Sequence, residues 1–322
     1  MSWNTIESDA GVFTELVKNL GVQGVQFEDV PVLDDLTMMG CDLYGVVFLF
    51  QYNAEEYGRD KLSHGQYVTE YPDSLFFAQQ TIQNACGTQA VLNALLSLSA
   101  ENPQTIKLGN TLSTFLEFTS GFNDSALKGE TISNSEEIRS VHNSFTSPDP
   151  FVMDENRPTP DSRNTSELFH FVAFIPCGGA IYELDGLRSS PIVYSDCGKD
   201  NGNPEIFAAN VANILQKRIA ADAAHGSAKF SVMAIIRDRL DALKDKLASG
   251  AIDEYTFQVQ LNNELQKREG WKREIVMRRN NFYGLAFELL KQVTSDMTDD
   301  DFKKQVSKAQ QSTQSKLGQF YQ

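Results

Sequence analysis

The densest apolar stretch of the chain lies at 90–98, where Ala90, Val91, Leu92, Ala94, Leu95, Leu96 and Leu98 cover nearly every direction around a helical wheel. That pattern predicts a helix buried on all sides rather than an amphipathic surface helix. Val12, Phe13, Leu16, Val17 and Leu20 instead share one side of a helix over 11–20, with Ser8-Asp9 as caps and Gly21 to close it. Strands are predicted at 24–30 and 44–52, the second apolar enough to be a buried central strand. Further along, FHFVAFI, the turn signal Pro176-Cys177-Gly178-Gly179 and a short strand at 180–184 read as a hairpin. Helical patterns cover 110–121, 133–145 and 206–224, with Glu136-Glu137 acidic in a first turn after Ser135, and 229–236 reads as the last strand of this part.

From Arg237 the character changes. Leu240, Leu243 and Leu247 recur at heptad-like spacing over 238–249, Gly250 ends that helix, and a second long run covers 253–279 with Phe257, Leu261 and Leu265. Gly270-Trp271 is expected to interrupt it. A shorter apolar helix follows at 282–293, and the polar, Gln- and Ser-rich stretch 303–322 is expected to fray. Apolar stripes without an evident partner in the chain point to a partner elsewhere, the alternative being a helical hairpin folded back on the first part. The predicted fold class is α/β in the α+β sense, with a central antiparallel-rich sheet flanked by helices and an all-helical C-terminal extension. The predicted division is 1–236 for the main domain and 237–322 for the extension. Two polar stretches, 53–72 and the proline-rich 146–164, read as loops.

Composition narrows the function. A chain of 322 residues can bury a sizeable core. A net charge of −15 argues against nucleic acid as a partner, because phosphate binding needs clustered Lys and Arg. Lys267-Arg268, Lys272-Arg273 and Arg278-Arg279 make a basic stripe that reads as a solvated helix face. The longest apolar run, 43–52, is too short to span a bilayer, so no membrane role is expected. Cys41, Cys86, Cys177 and Cys197 form no close pairs and no His/Cys cluster with ligand spacing, so neither a metal nor a cofactor is expected. With no signal-peptide pattern, the four read as reduced thiols, and a cytoplasmic and nuclear location is expected.

Cys86 is set apart by its position. It opens the core helix, where unpaired N–H groups and the positive end of the dipole favour an anion, and so the nucleophilic thiolate. A lone cysteine is more often a small buried hydrophobe, so the neighbouring chemistry has to decide. His170, in the first hairpin strand, is a candidate base. Asp185 follows it by fifteen residues, an odd separation, which puts the two side chains on one face of a hairpin closed by two residues. A carboxylate there fixes the imidazole's tautomer and orientation. Gln80, just ahead of the helix, can join the backbone N–H of Cys86 in holding an oxyanion. His64 competes with His170 but sits in a polar loop without a carboxylate at useful spacing. His142 reads as a core histidine, His225 as solvated, Cys41 as structural, and Trp3 as an anchor for the N-terminal segment.

QQTIQNACGTQA, followed much later by FHFVAFIPCGGAIYELDGLR, resembles the active-site signature of the ubiquitin C-terminal hydrolases, papain-like deubiquitinating cysteine proteases. Residue by residue, the family's glutamine, cysteine, histidine and aspartate fall on Gln80, Cys86, His170 and Asp185. GVFTELVKNLGVQGVQ, ISNSEEIRSVHNSF and the basic helix near the end extend the resemblance to the proteasome-associated, tail-bearing subtype along almost the whole chain. The resemblance implies cleavage after the C-terminal glycine of ubiquitin, ubiquitin as the substrate partner, and docking of the tail on a receptor subunit of the proteasome regulatory particle. It also implies that 146–164 is the crossover loop over the active site, a size filter against folded conjugates. The chain departs from the resembled pattern at Gly87, where alanine is expected, and a looser first turn would follow. A rival of another class is a ubiquitin-binding scaffold, latent until a partner engages the tail.

Overall fold

The nine-residue apolar run becomes a strand because both of its faces are covered. In the computed structural model, which describes residues 3–52, 62, 64–146, 169–194, 203–224, 229–295 and 297–320, the first elements are α1 (Ala10–Asn19), β1 (Val25–Asp29), α2 (Asp35–Met38) and β2 (Leu43–Gln51). Val46, Phe48 and Phe50 of β2 enter one apolar cluster and Val47 the other, so alternation survives inside an apolar run. There follow β3 (Gln66–Tyr67), α3 (Cys86–Glu101), α4 (Gly109–Thr119), α5 (Ser125–Asn134) and α6 (Glu136–Asn143). Then come β4 (Phe169–Cys177), β5 (Ala180–Leu184), β6 (Ile192–Tyr194), α7 (Pro204–Ala224) and β7 (Phe230–Arg237). The seven strands form one sheet in the order β1-β7-β2-β4-β5-β6-β3, and every pairing is antiparallel. Helices α1 and α3 cover one face and α7 the other, the layered arrangement expected of a mixed α/β sheet.

Helix α3 is buried from Gly87 through Leu98, in agreement with its apolar pattern. Each fully buried leucine among Leu92, Leu95 and Leu96 contributes about 2 kcal/mol of apolar transfer, which fixes the helix against the sheet. Asp9 caps α1 through Val12 N, and Ser135 caps α6 through Ile138 N. The helix expected over 133–145 is shorter, α6 (Glu136–Asn143), because Ser135 in extended conformation ends the unexpected α5 and caps α6. The expected loop 53–72 carries the short strand β3, while 53–61 and 63 lie outside the described residues.

By contact the chain divides into two compact units, Met1–Met277 and Arg278–Gln322. Two further helices, α8 (Arg239–Ala248) and α9 (Glu254–Arg279), begin after the last strand. Helix α9 runs unbroken through Gly270-Trp271, contrary to the expected interruption. A glycine costs a helix about 1 kcal/mol, but here Trp271 packs so closely on α1 that a Cβ at Gly11 would overlap its ring, and Ile275 is buried in the core. Buried Arg268 donates from Nε to Glu264 (2.8 Å) and from Nη2 to Gln26 Oε1 (2.5 Å) and Asp238 (3.0 Å). These bonds latch α9 to strand β1 and to the cap of α8; Leu243 of α8 is buried, but α9 turns Glu264, Arg268 and Ile275 inward while Leu265 of its expected apolar stripe stays exposed. In the second unit, α10 (Tyr283–Ser295) exposes Leu285, Phe287, Leu289 and Leu290, and the stretch expected to fray forms α11 (Asp299–Phe320), which opens on three aspartates that suit a helix N-terminus. Among the described residues no helix is long and apolar enough to cross a membrane.

Candidate active site

Cys86 is the first residue of α3, reached through a short 3-10 turn, Gln83–Ala85. That turn is tied down by Asn84, whose side chain donates to the carbonyl of Trp3 (2.9 Å). Trp3 is buried, its ring edge-on to His142 and its Nε1 donating to Ser133 O (3.3 Å), so it does anchor the N-terminal segment. His142 is fully buried between Thr88 Oγ1 (2.7 Å from Nδ1) and Asn4 O (2.6 Å from Nε2). Burial holds it below the usual histidine range, against the opposing pull of the Asn4 carbonyl, so it is a neutral core residue. Gly87 has a packing reason: a Cβ there would lie 3.0 Å from Phe13 and 3.1 Å from Ile6.

His170 arrives on β4, buried, with Phe50 opposite it on β2 and packed edge-on against its ring. The hairpin closes through Gly178 (φ 55°) and Gly179 (φ 76°), the pair of left-handed residues that a two-residue turn demands. His170 and Asp185 share a face, as their odd separation predicts, but they are not directly opposed. The register pairs Cys177 with Ala180 and Ala173 with Leu184, so its continuation would set His170 across from Leu187 and Asp185 across from Val172. Asp185 therefore reaches the ring along the diagonal, just past the end of the ladder, a span that side chains of this length can bridge. His170 Nε2 lies 2.6 Å from Asp185 Oδ1.

With Nε2 taken by the carboxylate, it is Nδ1 that can serve Cys86, which lines the same cleft. Burial disfavours the imidazolium, but hydrogen bonds to Asp185 and Cys86 and the negative charge of both outweigh it and push the His170 pKa up to about 9. Asp185 is itself held by Leu187 N–H (3.0 Å) and by Arg188, whose Nε is 3.6 Å from Oδ2. Sequence reasoning passed over these two residues; the Asp-Gly pair that begins an Asx turn at 185–187 is the local signal that could have found Leu187.

Gln80, Cys86 and His170 line one cleft of about 330 Å³, walled by Tyr52, Ile82, Phe169 and Leu187. Gln80 is brought there by its backbone, which donates to Gly186 O (2.8 Å), one residue past Asp185. Helix α5 backs onto the same segment so closely that a Cβ at Gly129 would overlap the Gln79 carbonyl. His64 is exposed and not part of the cleft. Cys177 is buried, pushed up to about 11 chiefly by burial, and Cys41 is exposed away from these groups. Cys197, His225 and, apart from Thr146, the expected crossover loop 146–164 lie outside the described residues.

The family model described as ubiquitin carboxyl-terminal hydrolase, family 1, matches residues 3–220. Ubiquitin carboxyl-terminal hydrolase 2 of Schizosaccharomyces pombe is 39% identical over 308 residues, covering 93% of each chain. Isozyme L5 of Dictyostelium discoideum is 34% identical over 334 residues, covering 90% of each. Among solved structures, Trichinella spiralis UCH37 bound to ubiquitin vinyl methyl ester superposes with a TM-score of 0.63 at 30% identity, over 84% of this chain and 99% of that one. With a cysteine at the head of the core helix, a carboxylate-bound imidazole beside it and likeness along nearly its whole length, this chain belongs to family 1 of the ubiquitin carboxyl-terminal hydrolases, cysteine-type enzymes of the ubiquitin pathway.

Proposed function

We propose that Cys86, His170 and Asp185 are the catalytic triad of this hydrolase, with Gln80 as its oxyanion donor and the C-terminal glycine of ubiquitin as the site of attack. The observation that carries this reading is an imidazole 2.6 Å from Asp185 that lines one cleft with Cys86 and Gln80. A ring pushed up to about 9 is protonated at neutral pH and so carries the proton that the leaving amine needs. The thiolate attacks the glycine carbonyl, and the oxyanion is held by the Gln80 amide and the Cys86 N–H. His170 gives its proton to the leaving amine as the carbon–nitrogen bond breaks, leaving a thioester. The neutral ring then takes a proton from water, whose oxygen attacks the thioester and releases the thiolate and free ubiquitin. Asp185 keeps the ring turned so that Nδ1 faces the sulfur.

Ubiquitin as substrate is supported by the relative whose structure carries ubiquitin vinyl methyl ester. In this reading 1–236 is the catalytic domain and 237–322 the docking extension, engaging a receptor subunit of the proteasome regulatory particle in cytoplasm and nucleus. The exposed Leu285, Phe287, Leu289 and Leu290 of α10 suit such a surface. Labelling with ubiquitin vinyl methyl ester, followed by peptide mapping, tests the core of the assignment. A single adduct at Cys86, lost in Cys86→Ser, is expected; an adduct at Cys41 or Cys177 that persists in that variant would reject it.

A further inference from the structure

Helix α3 is apolar almost throughout, yet four of its buried side chains are polar: Thr88, Gln89, Asn93 and Ser97. Thr88 is accounted for by His142. The other three recur every fourth residue and so form one stripe along the helix. Against that stripe runs the extended segment carrying Leu75, Phe76, Phe77 and Ala78, all buried and outside the seven-stranded sheet. Its backbone groups still need partners. Asn93 supplies two of them at a single residue, accepting from Ala78 N (3.0 Å) and donating to Ala78 O (3.1 Å). Gln89 Nε2 donates to the same carbonyl (2.9 Å), and Ser97 Oγ lies 2.8 Å from Phe76 N and 3.2 Å from Phe76 O. Alternate residues thus present both backbone groups to the helix, as they would to a neighbouring strand.

We infer that Asn93, seconded by Gln89, is a positioning residue for the oxyanion site: it fastens the segment that ends in Gln80 to the same rigid helix that begins with Cys86. The proposal rests on the reading of Gln80 as oxyanion donor. A single residue, Gln79, separates the clasp at Ala78 from Gln80, whose own N–H is held from the far side by Gly186. Donor and nucleophile are thereby tied to one helix, with Gly186 steadying Gln80 from the side of the sheet. An apolar residue at 93 would fill the same volume but leave the Ala78 N–H buried and unpaired, freeing that peptide to rotate and carry Gln80 out of line.

The test is a double-mutant cycle on a ubiquitin C-terminal fluorogenic amide, read alongside iodoacetamide alkylation of the Cys86 peptide, which needs the thiolate but no oxyanion donor. Asn93→Leu is expected to lower kcat on the order of tenfold, leaving KM and the alkylation rate within about twofold of wild type. Gln89→Leu should lose less, since Asn93 keeps both of its bonds to Ala78. Adding Asn93→Leu to Gln80→Ala should cost nothing further in kcat, because the donor being positioned is already gone. Additive losses, an equal fall in alkylation, or an unchanged kcat in the folded variant would each overturn the proposal. If Asn93→Leu does not fold, the same cycle with Gln89→Leu decides. An unchanged kcat in Gln80→Ala alone would remove the oxyanion reading itself, a result separable from failure of the clasp.

Discussion

His170 is pulled in two directions: burial favours the neutral ring, and its neighbours Asp185 and Cys86 favour the charged one. The neighbours prevail, with the pKa pushed up to about 9. The profile of kcat/KM against pH should therefore fall on its alkaline side near pH 9, as the ring loses the proton destined for the leaving amine. Asp185→Asn removes the foremost of the raising influences, so this limb should move to lower pH, with kcat/KM reduced on the order of 10²- to 10⁴-fold; a limb that stays in position would reject the coupling. Stability follows the same sign. The folded pKa exceeds the ordinary 6.5, so the contribution of this pair is complete below about pH 6.5 and lost as pH rises through about 9. His142 acts oppositely: its folded pKa is lowered, so its contribution is present above about 6.5 and lost on acidification. Thermal melts of His142→Gln beside wild type should show a shallower acid limb in the variant. Cys86, His170 and Gln80 stand out as candidates from residue type and chain position alone, and they line one cleft. Leu187 and Arg188 do not stand out in this way, since a backbone N–H and a surface-type arginine acquire a role only from what lies beside them.

At the scale of elements, two close approaches hold the cleft together. The Gly178-Gly179 turn sets the register that brings Asp185 diagonally under His170. One glycine inserted into this turn would shift β5 by a residue and send the carboxylate to the other face. Where it folds, such a variant should match Asp185→Asn in kcat/KM and in the shifted alkaline limb; near wild-type turnover would refute the register argument. Gly129 is the second point. Any side chain there meets the Gln79 carbonyl, so Gly129→Ala should push α5 from the Gln80 segment, lowering the melting temperature and kcat together, as a melt beside steady-state kinetics would reveal. The hairpin and the core helix were visible from local pattern, strand alternation around a Gly-Gly turn and an apolar run in every direction. Helix α5 was not, because its sequence shows little segregation of apolar and polar positions.

For the whole molecule, the boundary between the units is the informative feature. Helices α8 and α9 are latched to β1 by Arg268, and the compact unit extends to Met277. A chain ending at Met277 should melt cooperatively and hydrolyse a ubiquitin fluorogenic amide. One ending at 236 should be markedly less stable, because it loses the buried Glu264–Arg268 pair and the Trp271 contact while leaving Gln26 without its buried partners. Arg268→Ala in the full chain should cost about 2 kcal/mol by chemical denaturation, since it removes a buried charged donor from Glu264, Gln26 and Asp238 while Glu264 keeps Lys267 and Gln26. Equal stability of the two truncated chains would show the latch to be dispensable. By itself the sequence determined those features whose causes lie within a few residues: the apolar periods of helices and strands, the caps at Asp9 and Ser135, the two-residue hairpin, and the order of Gln80, Cys86, His170 and Asp185. Only the tertiary structure decided that α8 and α9 fold back, that Asp185 meets His170 diagonally, and that a polar stripe on α3 clasps the segment bearing Gln80. Periodicity tells which face of an element must be buried; which surface it meets depends on contacts between residues far apart in the chain, and those exist only once the chain has folded.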